Sequence, residues 1–229
     1  MYTREELLEE AKPILFNTDM VRVILDGRKT ETRRAIKLKY DNTHHEIKTD
    51  KYGTRLIEIQ DDVKGETFGI REDGTSWRKI RPYIEPKPPY KKGDILYVRE
   101  TWEIIPCIDC RQDGLPCIFE KIEYEDKYAI TEGCFVYRAD YPDPEKIVWY
   151  PSIHMPKQAA RIFLRVTGAW VERLQDIDDN GVMAEGLEIG DPFDDLWNST
   201  IKKKDMDKYG WDANPWVWAI EFERLEVSL

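Results

Sequence analysis

Three stretches of this chain, residues 95–102, 160–174 and 216–225, set apolar residues against polar ones at a spacing of two, the period of a strand with one buried face. In the middle stretch Ile162, Leu164 and Val166 alternate with Arg161, Arg165 and Thr167, and Phe163 interrupts the pattern. Helix signals are fewer. Residues 18–26 read as a short amphipathic helix, with Asn17 or Thr18 as N-cap and Gly27 as its left-handed stop. Asp176 or Asp178 starts a second helix that runs to Glu185 and ends at Gly186, and residues 191–203 place Phe193, Leu196, Trp197 and Ile201 at helical spacing. Strands separated by so few helices predict a mostly β fold with short helices (α+β), closed as a barrel. Polar stretches at about 40–88, 104–150 and 188–215 read as insertions that decorate a single domain spanning residues 1–229.

The chain has 229 residues, 41% of them hydrophobic and 12% aromatic, which suffices for a packed core. Its formal charge of −10 argues against a protein that coats nucleic acid by neutralising phosphates, which needs a broad basic face. A local basic pocket is compatible with that charge, because Arg28, Lys29, Arg33, Arg34, Lys37 and Lys39 lie together in sequence. There is no apolar run near eighteen residues, and the N-terminal residues 4–10 are charged, so no membrane span and a cytoplasmic location are expected.

The segment from Gly27 to Arg34 carries the most chemistry. A desolvated lysine three residues before a threonine can take a proton from its hydroxyl and make it a nucleophile, while neighbouring arginines neutralise an oxyanion or a phosphate. The competing reading is a basic strand edge in water. In a straight strand Lys29 and Thr32 point to opposite faces, so convergence requires the chain to curve after Gly27.

Gly27-x-Lys29-Thr30-x-Thr32-x-Arg34 resembles the signature of the ASCH domain family, whose fold is a small PUA-like β-barrel associated with RNA and modified nucleosides. Many members carry Glu where Thr32 stands. The threonine variant resembles the small bacterial N4-acetylcytidine amidohydrolases of that family, and on that alignment Lys29 and Thr32 fall on two catalytic positions. Leu174, Ile177 and Glu185 match a downstream segment without a gap, so the resemblance implies that Glu185 is the third. Residues 92–98 and 219–222 resemble the family's Gly-Asp turn and strand and its closing strand. The resemblance implies hydrolysis of an N4-acylated cytidine, with Thr32 attacking, Lys29 moving the proton and Glu185 positioning Lys29 or a water, and no catalytic cofactor. Residues 12–16, 98–102, 151–156 and 214–218 carry a closer resemblance, over more of the chain, to larger ASCH-like proteins of phages and prophages, a group from which the fold carries over more safely than the chemistry. A non-catalytic RNA- or nucleoside-binding module and a phage structural or interaction protein are the alternatives.

Cys107-x-x-Cys110 with Cys117 and Cys134 could hold a structural Zn²⁺; free thiols and disulfides are the other readings. As substrate-binding residues the sequence offers Arg33 and Arg34 for anions, Trp149 for stacking on a base, and His154 for a base edge, although a turn role is the favoured reading for it. Trp211 and Trp216 sit in similar loop-like surroundings, and His44 and His45 read as solvated.

Overall fold

In the computed structural model the described residues are 2–39, 43–50, 53–60, 67–70, 76–79, 83–106, 122–126, 129–141 and 148–228. Strands dominate, with a few short helices, and a mixed five-stranded sheet organises the molecule. Its order is Lys12–Leu15, Ile95–Arg99, Phe163–Arg173, Trp216–Arg224, Glu31–Ala35, with only the first pair parallel. The two edge strands, Lys12–Leu15 and Glu31–Ala35, are not laddered to each other; the sheet is not closed among the described residues. A side chain spans the gap instead, because Arg34 Nη2 donates to the Leu15 carbonyl at 2.8 Å.

The three alternating stretches contain the three central strands, and each boundary has a physical cause. The first ends at Arg99, after which Glu100 turns inward to meet the Arg161 guanidinium at 2.8 and 2.9 Å, and the chain enters a separate sheet at Trp102–Pro106. Phe163 breaks the alternation because both faces are covered there. Leu164 and Val166 pack with Phe16, Val21, Ile24 and Phe222 on one side, while Phe163 packs with Leu7, Trp102 and Tyr137 on the other. Leu174, Phe193, Trp197 and Val217 form a third apolar cluster.

Antiparallel register carries one irregularity with consequences for the site. Val166 pairs with Phe222, yet Gly168 pairs with Glu221, so Thr167 is an extra residue in its strand. Residues directly opposite one another share a face, and the bulge therefore flips everything beyond it. Trp170 is brought opposite Ala219 and Arg33, and Glu172 opposite Val217, on the face away from Thr32.

The helix expected over 18–26 spans Thr18–Leu25 with Asn17 as its cap, the one ending near Glu185 spans Asp179–Ala184 with Asp178 as its cap, and the third is shorter than expected, Phe193–Thr200. The insertion near 40–88 contains the hairpin of Thr43–Asp50 with Gly53–Gln60, and the one near 104–150 contributes a three-stranded sheet with the Trp102–Pro106 strand. His45 is half-buried rather than solvated, and burial pushes its imidazole below the usual range, whereas His44 pairs with Glu46 at 2.7 Å. No helix among the described residues is long and apolar enough to cross a membrane.

Candidate active site

Two helix ends meet at the site, and both stop the same way. After Thr18–Leu25 the chain passes through Gly27 at φ 76°, with Gly27 N–H donating to Ile24 O and Arg28 N–H to Val23 O, each at 3.0 Å. After Asp179–Ala184 it passes through Gly186 at φ 95°, with Gly186 N–H on Met183 O and Leu187 N–H on Val182 O. This is the paired bonding of a left-handed helix stop, which glycine adopts without a Cβ penalty. The two stops are joined by Thr30 N–H donating to Ala184 O at 2.8 Å and by Arg28 Nη1 donating to Gly186 O at 3.0 Å.

Lys29 thus lies in the turn between the first stop and the Glu31–Ala35 strand, where the chain bends after Gly27. Its side chain carries no exposed surface. Nζ donates to the Glu185 backbone carbonyl at 3.0 Å and forms an ion pair with Glu185 Oε2. A cation on the last carbonyls of a helix is favourable, whereas a carboxylate at that end is not, so Lys29 compensates for the position Glu185 occupies. The other carboxylate oxygen, Oε1, accepts the Arg33 backbone N–H at 2.7 Å and faces Arg33 Nη1 at 3.4 Å. Glu185 therefore covers an outward amide of the edge strand while holding two cations.

Arg33 is buried among carboxylates: Nε meets Glu172 at 2.7 Å, Nη2 lies 3.2 Å from Glu31, and Nη1 faces Glu185. It was a candidate for substrate contact. Its fork is engaged by these three carboxylates. Thr32, between Arg33 and the turn, is 2% exposed and lies on the opposite face with Arg34, in line with Ile220 and Trp218. The Phe16 ring underlies that face, 5.8 Å from Lys29 Nζ and 5.2 Å from the Arg34 guanidinium carbon. Burial pushes the Lys29 ammonium below its ordinary value of 10.5, Glu185 opposes this, and Arg34 and Arg33 add to it.

A cleft of about 640 Å³ opens between the edge strands, lined by Leu15, Arg34, Lys37, Lys87, Tyr90 and Trp218 among others. Arg34 lines the cleft, shares a strand face with Thr32 and lies over Phe16, while Lys29, Thr32 and Glu185 are not among the cleft's lining residues. Sequence reasoning had no signal for Lys87, Tyr90 and Trp218 as cleft residues, because they converge only through the sheet's curl.

The remaining candidates lie elsewhere. Trp149 packs edge-on against Tyr141 at 5.5 Å, and His154 is exposed in a single 3-10 turn that its own N–H closes onto Pro151 O. Neither contacts Lys29, Thr32 or Glu185 among the described interactions. Trp211 packs on Phe193 at 5.9 Å, and Arg173 covers Trp216 at 4.3 Å. Of the proposed zinc ligands, Cys107, Cys110 and Cys117 lie outside the described residues, and Cys134 is buried in the Ala129–Tyr137 strand. Among the described residues no cluster of three or more His, Cys, Asp or Glu side chains could hold a metal ion.

Comparison of the chain with protein-family models, with curated proteins and with solved structures found no match. The site's geometry is therefore its own evidence.

One prediction concerns the frame. A Cβ added at Gly186 would stand 2.8 Å from Val23 Cγ2 and 3.2 Å from Lys29 Cβ, at a φ that L-residues rarely adopt. Gly186→Ala is expected to destabilise the fold by roughly 1–3 kcal/mol, measured by denaturant unfolding.

Proposed function

We propose that the protein is an ASCH-type amidohydrolase that removes the acyl group from an N4-acylated cytidine, with a PUA-like barrel as the underlying fold. The observation that carries this reading is the buried Lys29–Glu185 pair held against the strand on which Thr32 lies. Burial and two guanidiniums favour the neutral amine that a base requires, and Glu185 fixes its position. The pyrimidine would enter the cleft beside Trp218 and Tyr90, with Arg34 facing the acyl oxygen.

In the reaction the Thr32 oxygen attacks the acyl carbonyl carbon while neutral Lys29 takes the hydroxyl proton. The C–N bond then breaks, and Lys29 returns the proton to the departing N4 amine, releasing cytidine. Water attacks the resulting ester, Lys29 takes a proton from it, and the same proton passes to the Thr32 oxygen as the carboxylic acid leaves. Each side chain ends as it began.

The exposed cations Lys37 and Lys87 in the same cleft support a second reading, a module that binds RNA or a modified nucleoside without hydrolysing it. Incubation with N4-acetylcytidine, with cytidine as the control, separates the two. Release of cytidine is expected; binding of both nucleosides without release would establish the module.

A further inference from the structure

The carboxylate at the centre of the site is held by a chain of contacts that runs back to the surface. Trp170, 38% exposed, donates its indole N–H to Glu172 Oε2 at 2.6 Å. Glu172 Oε1 accepts from Arg33 Nε at 2.7 Å, and Arg33 supplies both its backbone N–H and Nη1 to Glu185 Oε1. Glu185 Oε2 then meets Lys29. The four links use opposite ends of three groups: the two oxygens of Glu172, separate nitrogens of Arg33 and the two oxygens of Glu185. The chain exists because the bulge at Thr167 turns Trp170 and Glu172 onto the Arg33 face; in unbroken register both would stand on the Thr32 face.

We infer that Glu172 and Trp170 are positioning residues for the candidate site: by holding the Arg33 guanidinium they limit how fully it neutralises Glu185, and so set how strongly Glu185 holds the Lys29 proton. Three carboxylates, Glu31, Glu172 and Glu185, compete for the one guanidinium. Taking Glu172 away leaves Arg33 to Glu31 and Glu185. Arg33 then satisfies more of the Glu185 charge, and Lys29 loses part of the partner that keeps it protonated. The charged groups acting on Lys29 are Glu185, which favours the ammonium, and Arg34 and Arg33, which oppose it. Losing a negative charge near Arg33 and tightening Arg33 onto Glu185 therefore act in the same direction.

Trp170 enters through geometry. Glu172 has two acceptor oxygens, one for the indole and one for the guanidinium, so the indole fixes the rotation of the carboxylate that Arg33 meets. A glutamine at position 172 could accept from only one of them, since its amide presents one oxygen and one donor group. The conservative substitution thus breaks the chain without removing bulk.

This inference rests on Lys29 as the proton carrier of the proposed reaction, but it is read without substrate. The experiment is a titration of the Lys29 side-chain carbon by NMR on lysine-labelled full-length protein, with the resonance assigned from Lys29→Arg. Glu172→Gln is expected to move the Lys29 midpoint down by on the order of half a unit to one unit, as loss of a nearby charge at moderate screening would. Trp170→Phe, at a partly exposed position, is expected to move it down by less. Glu172→Asp, which keeps the charge, should restore most of the midpoint. Glu221→Gln removes a carboxylate from the same face that bonds Thr167 and does not touch Arg33, and should leave the midpoint near wild type. Unchanged or raised midpoints in both Glu172→Gln and Trp170→Phe would overturn the inference. So would an equal shift from Glu221→Gln, which would reduce the effect to the general field. A protein that shifts as expected yet releases no cytidine would refute the amidohydrolase and leave the chain of contacts standing.

Discussion

Lys29→Met is expected to lower the rate of cytidine release by about 10³-fold or more while the protein remains folded. The rate effect follows from removing the group that the proposed reaction uses to carry a proton between Thr32 and the leaving amine, since a positioned general base contributes about 10²–10⁴-fold. The fold survives for a separate reason. Methionine fills most of the same volume, and Glu185 keeps the Arg33 backbone N–H and guanidinium as partners once the ammonium is gone. Removing the cation of a buried ion pair has a stability cost, and Arg33, although shared with Glu31 and Glu172, stays beside Glu185 and reduces it. Steady-state kinetics and a thermal melt on the same preparation check both halves. A variant with near wild-type turnover would remove Lys29 from the mechanism.

The second large effect is on stability. Glu185→Ala should cost about 3–5 kcal/mol, because it leaves the Lys29 ammonium buried with a backbone carbonyl and no carboxylate, and the Arg33 backbone N–H without its acceptor. For a chain of this length that corresponds to a fall in melting temperature of roughly 6–20 °C. The loss should depend on pH in a defined direction. Lys29 titrates below its ordinary value in the folded protein, so between that lowered value and 10.5 the unfolded chain holds a proton that the native one does not. Stability then rises with pH across that window. Without Glu185 the native value drops further and the window widens at its lower end, so the gap between the variant and wild type should shrink as pH rises from the variant's native value to the wild type's, and stay level above it. A gap that grows with pH would mean that Lys29 is not the group left stranded.

The central strands and the helices flanking the site were legible because period and caps are local: Asn17, Gly27, Asp178 and Gly186 mark the boundaries found. Lys29 and Thr32 stood out as a reactive pair for the same reason. Glu185 is 156 residues from Lys29, and no local pattern joins them; only the likeness of its segment to a known family drew attention to it. Arg33 reads as a substrate contact from its neighbours in sequence, whereas its ion-pair partners depend on register, which no local pattern shows. Whether Glu172 meets Arg33 or faces Thr32 turns on one extra residue at Thr167, and a bulge shifts a face without altering the composition that suggests it. The sheet's edges illustrate the same limit. Tyr90 bonds the Pro13 carbonyl at 2.5 Å and Arg34 bonds that of Leu15, and both contacts belong to the curl of the sheet rather than to any strand within it.

The most direct test is cytidine release from N4-acetylcytidine by Thr32→Val beside the wild type, with nucleoside affinity measured on both. Valine keeps the shape of threonine and removes the hydroxyl, so the loss should fall on the transition state alone. The expected result is turnover by the wild type, a rate at least about 10³-fold lower in the variant, and dissociation constants for the nucleoside that agree within about twofold. Equal turnover by the two proteins, or binding by the wild type with no cytidine released, would contradict a reaction carried by Thr32.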